Sequence, residues 1–266
     1  MIDKVRQIIS DLLDRGEADA VLALANEHGN VQPYLYKKGD SLDNLVLWPK
    51  YSMGPIVQSI QNADPALKLA VVVRGCDDRA LVELAKRNQI SLFNVRIIGL
   101  ACTEAEAKEC ACAHPYPRSI DVGDKIDGIV SSDELAEVSG KDYGGRLQFW
   151  KDAFARCIKC YGCRNGCPLC ICEDCVLEDD AWVKAGEIPP PFPIFHLIRA
   201  YHLSDKCVEC GECQSSCPMD IPLTSLYAMI REEFSGLFDY MPGADEDRKS
   251  PLVTSLEEEP IREGTA

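Results

Sequence analysis

The sequence has no apolar run approaching the roughly 18 residues that cross a membrane, so no membrane-spanning segment is predicted. Its first residues, Met1-Ile-Asp-Lys-Val-Arg6, lack the charged-then-apolar pattern of a secretion signal, which makes a cytoplasmic location the expectation. Positive charge is scarce: 28 Lys and Arg against 43 Asp and Glu leave a net charge of −15 at pH 7. That balance argues against nucleic acid or an anionic membrane surface as the partner and suits a basic protein instead. Also missing are a Gly-x-Gly-x-x-Gly turn, a Walker loop and a Ser-His-Asp order; Gly29, Gly39 and Gly54 read as isolated turn residues. Histidines number four, and His196 and His202 are spaced to face different sides of one helix, which excludes a histidine metal pair there. The scattered Trp48, Trp150 and Trp182 are expected to pack in the core.

Cysteine is abundant, with fifteen in 266 residues. An odd count, tight spacing and the absence of a leader oppose a disulfide framework. Eleven of the fifteen fall between Cys157 and Pro218, where one spacing occurs twice: Cys157-x2-Cys160-x2-Cys163-x3-Cys167-Pro168 and Cys207-x2-Cys210-x2-Cys213-x3-Cys217-Pro218. This is the spacing of bacterial two-cluster ferredoxins, in which three close thiolates hold one [4Fe-4S] cube and the fourth reaches the other. One cube then takes Cys157, Cys160, Cys163 and Cys217, and the other Cys207, Cys210, Cys213 and Cys167. Two separate zinc sites fit the register poorly. Two adjacent cubes imply a one-electron relay. Backbone N–H groups of the ligand loops, Gly162 and Gly211 among them, are expected to donate to sulfur. Lys159 and Arg164 beside the first set, against Glu209 and Glu212 beside the second, predict the higher potential for the first, unless these charges are solvated and change little.

Elsewhere the pattern predicts a helix over residues 3–14, strands over 20–25 and 31–36, a short strand at 45–48 and a helix from Gly54 through Ile60. The apolar runs 69–73 and 95–100 flank a helical stretch at 77–86, the signature of a right-handed βαβ crossover in a parallel sheet. Residues 103–119 read as a proline-stiffened loop. Cys76 and Cys102 lie at the two strand ends, where such sheets bind ligands. Cys110 and Cys112 follow in the loop, so the four are candidates for a third [4Fe-4S] cluster, with zinc and buried free thiols as the other readings. His114 beside them reads as a loop histidine in preference to a ligand. Cys170, Cys172 and Cys175 are either packed, redox-idle thiols or ligands of a further cluster. The fold expected is mixed α/β and α+β: a small parallel-sheet α/β domain over residues 1–146, a bacterial two-cluster ferredoxin-like domain over 147–238, and an acidic extended tail over 239–266.

The residues Val71-Val-Val-Arg74-Gly75-Cys76-Asp77-Asp78-Arg79, then Ile97 to Cys102 and Cys112-Ala-His-Pro-Tyr-Pro117, resemble the coenzyme F420 hydrogenase/dehydrogenase beta-subunit family. With Arg156 to Pro168 and Arg199 to Cys207, the likeness is to its short form carrying a C-terminal dicluster ferredoxin domain, over roughly residues 65 to 240. The resemblance implies an electron-transfer subunit, without catalysis of its own, that joins a hydrogenase or formate dehydrogenase module to a heterodisulfide-reductase-like flavoprotein. It also implies FAD as a further cofactor, with Arg74, Asp77 and Arg79 as its contacts. The alternative is a flavin-dependent subunit that itself passes hydride to or from coenzyme F420.

Overall fold

The computed structural model describes residues 1–128 and 132–252. Helix α1 (Ile2–Asp14) opens the chain, and the side chains it buries, Val5, Ile9, Leu12 and Leu13, recur at helical spacing. Strands β1 (Ala20–Glu27) and β2 (Asn30–Lys37) form an antiparallel hairpin across His28 and Gly29, both at positive φ. Then come β3 (Leu45–Val46), α2 (Gly54–Ala63), β4 (Leu69–Val73), α3 (Gly75–Lys86) and β5 (Val95–Gly99).

The βαβ unit β4-α3-β5 is present, with β4 and β5 parallel from Leu69↔Val95 to Val73↔Gly99. β1 runs parallel to β4 through Ala20–Leu22, giving a sheet of order β2-β1-β4-β5 with β3 beside Leu24 and Ala25. The sheet is therefore mixed, because the hairpin adds an antiparallel edge to a parallel centre. All five residues of β4 are buried, as a strand covered on both faces requires. Val21, Ala23, Ala70 and Val72 pack toward α1, while Leu22, Leu24, Val71 and Val73 pack toward α2 and α3. The period of two along each strand separates the layers.

Seven helices and a 3-10 turn complete the described chain: α4 (Glu104–Glu109), α5 (Asp133–Ser139), α6 (Tyr143–Ala155), α7 (Gly162–Asn165), the turn Val176–Glu178, α8 (Ile194–Leu203), α9 (Glu212–Ser215) and α10 (Leu223–Phe238). Helix α4 stands where a loop was expected. Its start is a capping box, in which Thr103 Oγ1 accepts from the Glu106 amide and the Glu106 carboxylate accepts from the Thr103 amide at 2.7 Å. Trp182, expected inside, is 54% exposed.

One buried cluster joins Val71, Leu81 and Leu84 of the sheet layer to Phe154, Phe195, Leu203, Val208 and Leu226 of the cysteine-rich region. Polar bonds cross the same junction: Arg79 donates to the Val208 carbonyl at 3.2 Å, and Arg87 pairs with Asp205 at 2.8 Å. After α10 the chain returns to α3 and does not extend away. Tyr240 is buried with its hydroxyl on Glu83 at 3.0 Å, the Gly243 amide donates to Glu83 at 2.6 Å, and Ser250 donates to Asp205 at 2.5 Å. The part of the expected tail beyond residue 252 lies outside the described residues.

Candidate metal centres

The two cysteine runs fold alike. Lys159 and Glu209, second in the first Cys pair of each run, are left-handed, and so are Tyr161 and Gly211, which follow the second cysteine; α7 and α9 then start one residue later. This path turns amides onto sulfur. The Lys159 amide donates to Cys157 Sγ at 3.4 Å and the Gly162 amide to Cys160 Sγ at 3.5 Å. In the second run the Glu209 and Glu212 amides bond Cys207 and Cys210 in the same way. The donor in the second run is thus Glu212, the counterpart of Gly162, where Gly211 was expected. Close packing of the halves also needs Gly162, where a Cβ would come 2.6 Å from the Ser216 carbonyl oxygen.

Cys157, Cys160, Cys163 and Cys217 line one cavity, walled by Tyr161 and Phe195. Cys167, Cys207, Cys210 and Cys213 line another. In each, the cysteine before proline joins the trio of the other run, bringing together residues 40 or more apart in sequence. Burial pushes the thiols of Cys157, Cys163 and Cys207 up and that of Cys213 up to about 12, so as free groups they would be neutral and poor nucleophiles. Only a bound cation makes them thiolates here. Among the described residues no three His, Cys, Asp or Glu side chains converge closely enough for a single metal ion.

Arg199 tests the fit of an anionic cluster. It is buried between the two cavities, donates to the Cys163 carbonyl at 2.6 Å and to the Tyr227 hydroxyl, and leaves Nε without a partner. Among the described residues no carboxylate pairs with it; the groups that bear on it are the Tyr227 hydroxyl and the thiols of Cys167, Cys170 and Cys163. An uncompensated buried cation costs several kcal/mol. Cubes held by thiolates would supply the missing negative charge, so the residues present fit such groups.

Cys76, Cys102, Cys110 and Cys112 also come together. The charge of Cys112 bears on both Cys76 and Cys102, and that of Cys110 bears on Cys112. Two contacts hold their loop: beyond the end of β5 the Cys102 amide donates to the Pro115 carbonyl at 2.8 Å, and at the start of α3 a Cβ on Gly75 would meet the Tyr116 carbonyl oxygen at 2.3 Å. Cys110 also lines the cavity of the second quartet, and Lys50 lies among Cys76, Cys110 and Cys210. This third set therefore borders the second quartet. The His114 backbone bonds Cys112 sulfur, while its ring Nδ1 lies 3.5 Å from Glu209.

Three further sets of residues singled out in the sequence have defined surroundings in the fold. Arg74, Asp77 and Arg79, the residues matched to flavin contacts, are all buried and engaged within the protein. Arg74 pairs with Glu106 at 2.9 Å, donates to Cys102 Sγ at 3.3 Å and stacks over Trp48; Asp77 accepts the Met53 and Arg74 amides; Arg79 donates to the His114 and Val208 carbonyls. The charge comparison between the runs also changes. Glu209 pairs with Arg231 and Glu212 with Lys50, and Arg199 and Arg231 bear on Cys207, so cations from distant segments surround the second set. Beside the first set, Arg164 pairs with Glu178 at 2.7 Å and Lys159 bonds the Lys184 carbonyl. Cys170, Cys172 and Cys175, finally, share a cavity of their own, and one wall of it is Arg199.

No protein-family model matches the chain. Over 135 residues it is 41% identical to the F420-dependent formate dehydrogenase subunit beta of Methanocaldococcus jannaschii, a match spanning 49% of this chain and 35% of that one. It is 26% identical to the F420-dependent formate dehydrogenase 1 subunit beta of Methanococcus maripaludis over 361 aligned positions, covering 93% of this chain and 92% of the relative. An alignment longer than this chain means that the second relative carries segments absent here.

Proposed function

We propose that this homologue of the F420-reducing dehydrogenase beta subunits is the iron–sulfur electron-transfer subunit of an oxidoreductase complex. In this role it links a formate dehydrogenase or hydrogenase module to a heterodisulfide-reductase-like flavoprotein. The observation that carries the proposal is the pair of cysteine quartets, each lining its own cavity with one member contributed by the other run, and the unpaired Arg199 between them. Cys157, Cys160, Cys163 and Cys217 would hold one [4Fe-4S] cube, and Cys207, Cys210, Cys213 and Cys167 the second. Cys76, Cys102, Cys110 and Cys112 would hold a third. When bound, such clusters accept and release single electrons without binding substrate at iron.

The chain's own residues supply the rest. Backbone amides at 159, 162, 209 and 212 donate to ligand sulfur and stabilise its negative charge. Phe195 and Leu223 on one side, and Leu169 and Leu203 on the other, exclude water from the cavities. Arg199 and Lys50 favour the more negative, reduced state. The alternative, in which the chain itself binds FAD and passes hydride to coenzyme F420, lacks free side chains at Arg74, Asp77 and Arg79.

Iron and sulfide analysis of the anaerobically purified chain tests the proposal. The expected content is about eight iron atoms for two cubes and about twelve with the third, and the expected spectrum has no flavin band. Zinc in place of iron would overturn it, and stoichiometric flavin would favour the alternative. Subunits that co-purify under the same conditions identify the donor and acceptor.

A further inference from the structure

Cys170, Cys172 and Cys175 stand outside both quartets and outside the set at the sheet end, yet all three line one cavity of ≈ 310 Å³. They follow Cys167 at once, in the chelating spacing Cys-x-Cys-x2-Cys. The cavity has room for a group of several atoms. A lone ion is not what it fits, since among the described residues no three donors converge on one point. Its walls carry Arg199 and Lys206, and Arg164 is in hydrogen-bond contact with Cys175. Cys170 touches Cys167 through its thiol and lies against Arg199, so this cavity and that of the second quartet meet at one cysteine pair and one buried guanidinium. No fourth cysteine lines it; the other donors on its wall are Glu173, Glu178 and His202.

We propose that Cys170, Cys172 and Cys175 ligate a further [4Fe-4S] cluster, with the fourth iron taking a non-cysteine ligand. Three cysteines that line one cavity, with room for a group of several atoms and with Arg199 and Lys206 on its wall, are what such a cluster asks for. Cys172 is exposed, so the site lies at the molecular surface, as a branch reached from the second quartet through Cys167 and Cys170. One electron arriving there reduces the cluster by one unit of charge and leaves again to a docked redox partner. The inference rests on the quartets being loaded with clusters, and it adds about four iron atoms per chain to the number expected above.

Two measurements on the anaerobically purified full chain decide it. The first compares wild type with the Cys172→Ala/Cys175→Ala double variant. The expected result is a loss of about four iron and four sulfide per chain, with the paramagnetic resonance signals of the reduced quartets retained. The second labels the native wild-type chain with iodoacetamide and locates adducts by mass spectrometry. Cys172 and Cys175 are expected to stay unlabelled until iron is removed by a chelator. Full iron in the double variant, or immediate labelling of Cys172 in the loaded wild type, overturns the inference while leaving the quartets standing. Iron-free wild type would overturn both. If the double variant does not fold, the labelling of wild type decides alone.

Discussion

Arg199 links several parts of the site, because one guanidinium bonds the backbone of the first quartet, a buried tyrosine and the sulfur of Cys170, with Cys167 in electrostatic reach. Replacing it by methionine removes a buried positive charge, and the more negative reduced clusters lose most. Redox titration of Arg199→Met, followed by paramagnetic resonance, is expected to move cluster midpoints to more negative values, with Arg199→Lys keeping part of the difference; unchanged midpoints would contradict this role. The cations around Cys207 to Cys213 further reverse the order read from neighbouring residues, so the second quartet is expected at the higher potential. Lys50→Gln should lower the midpoint of the second quartet and of the neighbouring third set while leaving the first quartet unchanged. In the sheet, the buried Tyr36 donates to Asn44 at 2.9 Å. Burial first, then the charges of Tyr34 and Glu27, push its phenol from 10.0 up to about 12. Because the folded chain holds the proton more tightly than the unfolded one, stability is full below pH 10 and falls as pH rises toward 12. Tyr36→Phe removes this loss and costs about 1 kcal/mol at neutral pH through the missing hydrogen bond. Urea titrations at stepped pH measure both.

Helix α3 organises the elements. Its N-terminus carries Cys76 against the loop of Cys112, and its last turns hold Glu83, fully buried among Lys86, Arg87, the Tyr240 hydroxyl and the Gly243 amide. Glu83→Ala leaves Lys86 without its carboxylate and Arg87 with Asp205 alone, and is expected to destabilise by about 3 kcal/mol, whereas Tyr240→Phe costs about 1 kcal/mol. Urea denaturation ranks them, and protease cleavage after residue 239 should quicken only where the returning segment is released. The helix itself was legible from Leu81, Leu84 and Ala85 at helical spacing. The distant partners of Glu83, Tyr240 and Gly243, were not, since they come from a stretch whose acidic, Gly- and Pro-containing composition reads as extended. Helix α4 was missed for a local reason: Thr103 and Glu106 form a capping box, but the two prolines of 115 and 117 dominated the reading of that segment.

Across the whole molecule, the expected boundary near residue 147 runs through a continuous buried cluster that joins α3 to α6, α8 and α10. A fragment of residues 1–146 would expose Leu81 and Leu84 and strand Arg79 without the Val208 carbonyl. We expect that fragment to lack cooperative thermal unfolding and near-ultraviolet circular dichroism. A cooperative transition in the isolated fragment would show instead that the sheet layer folds alone.

The βαβ unit, the N-terminal helix and the two cysteine runs were determined by the sequence itself, because periodicity and ligand spacing are local properties that a linear chain records. The repeated spacing also carries the expectation that the cysteine before proline in each run serves the other cube. What surrounds those cavities was decided only in three dimensions. Arg199 and Lys50 reach the cysteines from 36 and 160 residues away, Arg74, Asp77 and Arg79 are consumed by internal partners, and Cys170, Cys172 and Cys175 gain a cavity of their own. Electrostatic environment and burial are sums over all neighbours in space, and sequence adjacency supplies only a few of them.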